Sequence, residues 1–328
     1  MVLSSAKHGG RWALFLGVIA ALGLVSCGSA GQGAAKVDPT QRRTPKMPAG
    51  LQVFPPDNPW NTDISKYPVH LNSGNFIASI GAEKNLHPCF GPPYNGLPSG
   101  IPYVFVKGDQ PKVPVTFTHP GESDPGPYPI PDNAPIEGGG EVEGDRHVLV
   151  IDSDNHKLYE IFHSFKVEGG WKADSGAIFD LKSNRLRPET WTSADAAGLP
   201  IFPGLVRYDE VMEKGEINHA LRFTVRRSQR GYIHPATHFA SRSKDPNLSP
   251  MGLRVRLKAD YDISGFPKEA QVILKCLKQY GMLVADNGGD WFITGAPDPR
   301  WDNEVLSAIK RVKGKDLEVV DTGPIITG

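Results

Sequence analysis

The sequence predicts an α+β fold that is mainly β, with an antiparallel, sandwich-like core and two C-terminal helices. Three observations lead there. The chain carries 36 glycines and 30 prolines in 328 residues, a composition of frequent turns between short strands. Several short runs alternate apolar with polar residues, the period of a strand. Only two stretches, both near the C-terminus, repeat at helical spacing.

The elements follow in chain order. "LQVFPPDNPWNTDIS" opens the folded region as extended edge structure packed by Phe54 and Trp60, because its prolines do not suit a central strand. "IPYVFVKG" and "VPVTFTH" alternate as strands on either side of "DQPK". The next segment, "GESDPGPYPIPDNAPIEGGGEVEGD", is crowded with Pro and Gly yet holds Tyr128, Ile130 and Ile136. It reads as an ordered loop over the sheet that walls a site. "DRHVLVIDSDNHKLYEIFHSF", Asp145 to Phe165, is a hairpin about Asp154-Asn155. Its register sets Leu149 opposite Glu160 and His147 opposite Phe162, and alternation puts all four on one face with Ile151 and Leu158.

Further along, Thr192 or Ser193 is placed to cap a helical turn. "GLVRYDEVMEKGEINHALRFTV" reads as a second hairpin around Glu213-Lys214-Gly215, with His219, Leu221, Phe223 and Val225 on one side. In its first strand Arg207 and Asp209 share one face, Tyr208 and Glu210 the other. "MGLRVRLKADYD" is a strand alternating Leu/Val with Arg/Lys. "PKEAQVILKCLKQYG" has helical spacing at Val272, Ile273, Cys276, Leu277 and Tyr280, with Pro267 near its start and Gly281 as its stop. "MLVAD" and "DWFITG" are strands, "DNEVLSAIKRVKG" is a helix begun by Asp302 or Asn303, and "DLEVVD" is the last strand. With no repeat at solenoid or propeller period, residues 51–328 read as a single globular β-rich domain.

Lys7 and Arg11 precede an apolar run from Trp12 to Val25, too short for a bilayer span of about 20 residues. Residues 1–26 have the basic, apolar, small-residue order of a signal peptide. Leu24-Val25-Ser26-Cys27 resembles the lipobox of bacterial lipoproteins, which implies cleavage before Cys27 and lipidation of that cysteine. The protein would then be extracytoplasmic and lipid-anchored to the membrane or cell surface; the alternative is an ordinary signal peptide with an incidental cysteine. Residues 27–50 are small, polar and basic, as in a flexible tether. Cys89 and Cys276 are left either to bridge or to stand apart. Three segments of the folded region, "ESDPGPYPIPDNAPIEGG", "WTSADAAGLPIFPGLVRYDE" and "ADNGGDWFITGAPDPRWDN", resemble those of a family of uncharacterised secreted bacterial proteins. That resemblance implies a compartment and no mechanism.

The 36 basic and 36 acidic residues balance, so no net field recruits nucleic acid. Phosphate-binding glycine loops, a nucleophile-elbow serine and a zincin helix do not occur, and no cofactor is expected. "HPATH" spaces two histidines for a metal only if helical, which Pro235 argues against. "DSDNHKLYE" lacks the glycine and final acid of a calcium loop. The candidate chemistry centres on Glu160 and His147, diagonal neighbours within about 7–8 Å on an apolar face, where a carboxylate is costly unless paired or functional. Glu137, Glu141 and Asp145 precede the hairpin, and Asp286 lies in the cluster before the last helix. Tyr128, Trp171, Trp191 and Tyr208 are available to line a cleft, and aromatic faces with carboxylates suit sugars.

Three readings stay open. In the first, the protein acts on polysaccharide. Glu160 serves as acid or base with Glu137, Asp145 or Asp286 in a hydrolase, or His147 is the base and Arg207 neutralises a uronate in a lyase. In the second it is a non-catalytic glycan-binding or envelope-structural lipoprotein. In the third a metal sits among His147, Glu160 and His219.

Overall fold

Strand pairing divides the β structure into two principal sheets. The structure, a computed structural model, describes residues 43–140 and 143–327. The signal-peptide segment, Cys27 and Glu141 therefore lie outside the described residues. We label the strands of the two sheets in chain order: β1 (His87–Cys89), β2 (Tyr103–Val106), β3 (Val148–Asp152), β4 (Lys157–Phe162), β5 (Ser175–Asp180), β6 (Leu221–Val225), β7 (Arg254–Leu257), β8 (Met282–Asn287), β9 (Phe292–Thr294) and β10 (Leu317–Val319). The smaller sheet runs β5-β4-β3-β2 and the larger β1-β9-β6-β8-β7-β10. Two- and three-stranded sheets surround them. The fold is the mainly β, α+β class that the sequence predicts. Both sheets are nonetheless mixed: β3–β2 in the smaller and β1–β9 and β6–β8 in the larger are parallel, the other pairings among the described strands antiparallel.

The hairpin of β3 and β4 has the expected register, with Leu149 opposite Glu160 and Asp152 opposite Lys157. Its sheet is covered on both faces. Leu149, Ile151, Leu158 and Ala177 join the principal core shared with the larger sheet. On the other face Val148, Val150, Tyr159 and Ile161 pack with Tyr128 and Trp171 in a second core under the proline-rich loop. The described part of that loop packs against the sheet, but Tyr128 is fully buried and Trp171 nearly so. They are core residues rather than the walls of a cleft.

Helices α2 (Lys268–Gln279) and α3 (Asn303–Ile309) occupy the two predicted positions, and the Asp302 side chain caps α3 by accepting from Glu304 N. A third, α1 (Ser73–Ile80), buries Phe76, Ile77 and Ile80. Gly281 ends the α2 segment at φ +64, and a Cβ there would lie 2.3 Å from the Val255 carbonyl oxygen. Gly281→Ala is therefore expected to lower the unfolding free energy by about 1–3 kcal/mol from backbone strain alone, read by urea denaturation.

Two local expectations are corrected. The proposed second hairpin does not form. Asp209–Lys214 is a π-helical turn ended by Gly215, and only the segment after it enters the sheet, as β6. The physical reason is that Arg207 meets Glu210 at i+3, a helical pairing that strand alternation would place on opposite faces. Nor does Ser193 cap a helix. Its hydroxyl accepts from Asp195 N in a non-helical turn.

The alternating arginines of β7 are buried too. Arg254 donates to the carbonyls of Tyr280 and Pro59, and Arg256 to Glu318 and the Ile64 carbonyl, so the N-terminal segment covers that face. The chain docks before residue 51. Thr44 donates through N to Asp298 and through Oγ1 to the Pro297 carbonyl, and Lys46 pairs with Glu213.

Candidate functional site

The segment that leads into β3 folds back on the proline-rich loop. Glu137 N donates to the His147 carbonyl at 3.0 Å. Glu137 Oε2 in turn lies 2.6 Å from His147 Nδ1 and 3.4 Å from His147 N. His147 is buried, and its Nε2 donates to the Ala194 carbonyl at 3.0 Å. Arg146, at φ +49, turns the chain so that Asp145 also faces this pair, and its guanidinium secures the loop through Ser164 O and Gly140 O. One ligand atom each from Glu137, Asp145 and His147 lies within 4.8 Å of the others. The Asp145 carboxylate is half-buried and has no hydrogen-bond partner among the described residues.

Behind this cluster lies a charge pair that sequence reasoning missed. Arg222 of β6 grips Asp195 with two bonds, 2.9 and 2.7 Å, and donates a third to Thr294. Both members are buried. Asp286, at the end of β8, accepts from Asn287 N at 2.6 Å. Burial and the Asp195 charge push its carboxyl up to about 8. Burial raises Asp145 in the same way. Burial alone would depress His147, but the charge and hydrogen bond of Glu137 outweigh it and push the imidazole up to about 9.

The expected site residues divide accordingly. Glu137, Asp145 and His147 come together, and Asp286 acts electrostatically on the same cluster. Glu160 does not serve as an accessible acid. It is fully buried, and its two oxygens accept from Ile201 N and Phe202 N at 2.9–3.0 Å. Burial pushes its carboxyl up to about 7 against the pull of those bonds. Glu160 is thus an anchor for the chain entering the turn at Phe202–Gly204.

Arg207 is likewise unavailable to a uronate. It is buried, paired with Glu210 at 2.6 Å and 2.9 Å from His219 Nε2. His219 bonds this pair and its neighbour's carbonyl, so the metal site of His147, Glu160 and His219 is not assembled. Trp191 is half-buried with Arg187 over its ring. Tyr208 is held between Arg300, at 3.9 Å, and Trp301. Phe165, by contrast, reaches solvent and is 40 % exposed.

Phe165 borders a surface groove of about 260 Å³ with Thr116, Thr118, His163, Lys172 and Asp174. Arg146 backs its ring at 4.4 Å, and His163 Nδ1 meets Asp174 at 2.9 Å. The groove adjoins the acid–histidine cluster, since His163 N donates to the Asp145 carbonyl at 2.7 Å. A somewhat larger depression of about 290 Å³ lies between Lys84, His87, Arg226 and Lys310. Its one carboxylate, Asp290, is taken up by Lys84 at 2.6 Å, so we take the groove and cluster as the candidate site.

No protein-family model, curated protein or solved structure matches the chain.

Proposed function

We propose that this is an extracytoplasmic lipoprotein, anchored through Cys27, that binds polysaccharide in the groove beside the β3–β4 hairpin. The observation that carries the reading is Phe165: an exposed ring, stiffened from behind by a guanidinium and flanked by hydroxyl, amine, imidazole and carboxylate groups. A sugar offers such a surface a C–H face for the ring and hydroxyls for the polar rim. Phe165→Ala is expected to weaken binding to a responsive polysaccharide at least tenfold, about 1.4 kcal/mol, while leaving the melting temperature nearly unchanged. Isothermal titration across a panel of neutral and acidic glycans checks this. Absence of binding by the unaltered protein, or binding indifferent to Phe165, rejects the proposal.

A second reading, glycoside hydrolase or lyase, is favoured by one observation: the unpartnered carboxylate of Asp145 stands beside His147 in the cluster that adjoins the groove through the His163 N to Asp145 carbonyl bond. The acid–base work then belongs to Asp145, His147 and Asp286 rather than to Glu160. Asp145→Asn would abolish release of reducing ends or unsaturated sugars while polysaccharide binding persists.

A further inference from the structure

We propose that Glu137, Asp145 and His147 bind a divalent transition-metal ion of the Mn²⁺ or Zn²⁺ class. A carbonyl oxygen can only accept, so the 3.0 Å contact from His147 Nε2 to Ala194 O places a proton on Nε2. In the neutral ring Nδ1 is then a lone pair, and it points at Glu137 Oε2 from 2.6 Å. Two acceptors that close require a cation shared between them, either a proton or a metal ion. A ligating histidine whose other nitrogen donates to a backbone carbonyl is the arrangement that fixes tautomer and ring direction for a metal.

Asp145 supplies the third donor. Its carboxylate has no partner among the described residues, yet it lies within the 4.8 Å set. Donors bound about 2.1 Å from one ion stand about 3–4.2 Å apart. The three therefore need to move by only a few tenths of an ångström. Glu137, whose side chain is 20 % exposed, has room to do so. One imidazole with two carboxylates suits Mn²⁺ or Zn²⁺ better than Ca²⁺, which favours oxygen donors alone. Among the described residues, the buried guanidinium behind the cluster, Arg222, is engaged by Asp195 and Thr294. This site does not depend on the glycan reading.

The test uses the purified full chain, stripped with EDTA and dialysed, then titrated calorimetrically with MnCl₂ and with ZnCl₂ near neutral pH. Saturable binding of about one ion per chain is expected. Asp145→Asn and Glu137→Gln should each weaken it at least tenfold, whereas Glu143→Gln, an exposed acid of the same loop, should leave it unchanged. Imidazole ¹⁵N spectra of the unaltered protein give a readout that needs no variant: Zn²⁺ should shift Nδ1 of His147 and leave Nε2 protonated. No saturable binding of either ion at millimolar concentration, or an unmoved Nδ1 resonance, overturns the proposal and leaves a proton as the only bridge.

Discussion

Arg222→Met is expected to destabilise the protein by about 3–5 kcal/mol. Arg222 and Asp195 are both buried, and the guanidinium supplies both of the side-chain bonds made to the Asp195 carboxylate. Its charge also moderates the repulsion that Asp195 exerts on Asp286. Methionine keeps much of the volume but leaves Asp195 as an uncompensated buried charge among carboxylates. Replacing both residues, Arg222→Met with Asp195→Leu, should recover part of the loss, because a well-packed apolar pair often matches a buried ion pair. Equilibrium urea unfolding of the single and double variants measures this. A single variant within about 1 kcal/mol of the parent would show that Asp195 has another source of compensation.

The second large effect is a loss of stability on the alkaline side, carried by Glu160. Its carboxyl titrates near 7 in the fold against an ordinary 4.5, because burial disfavours the charge more than the Ile201 and Phe202 amides favour it. Between those values the unfolded chain has released the proton and the folded chain still holds it. Stability is therefore full below about pH 4.5 and falls as pH rises toward 7, by about 3 kcal/mol from this group. Asp286, raised to about 8, acts with the same sign. Glu210 acts oppositely: Arg207 and His219 overcome its burial and hold it near 2, so its contribution is lost as pH drops from 4.5 toward that value. Unfolding free energy should peak near pH 5 and decline through neutrality. Glu160→Gln should flatten the decline while costing about 1–3 kcal/mol at pH 5, since the amide nitrogen cannot accept a backbone N–H. A slope unchanged by Glu160→Gln would assign the decline to other groups.

Local patterns made much of the fold legible. The β3–β4 register follows from alternation about a turn that Asp and Asn tolerate, and α2 and α3 follow from helical spacing bounded by Pro267, Gly281 and Asp302. The lost information is long-range. Alternation says which face Glu160 occupies, but not that amides 41 and 42 residues away meet it there. No local pattern in β6 marks Arg222 as buried, because its partner, Asp195, sits in a turn 27 residues earlier. Aromatic content announced a cleft, yet Tyr128 and Trp171 had a second core to fill, and Phe165 at the end of the hairpin carried no signal of its exposure. The cluster was half legible: Glu137, Asp145 and His147 all belong to the loop-to-hairpin junction singled out in the sequence. Their convergence depends on the turn at Arg146, which no pattern marks.

The docking of Thr44 onto Pro297 and Asp298 shortens the leash. If Cys27 is lipidated as proposed, 17 residue steps separate it from Thr44, a reach of at most about 60 Å. Under the proposed anchoring at Cys27, Thr44 would then stay within that distance of the envelope surface.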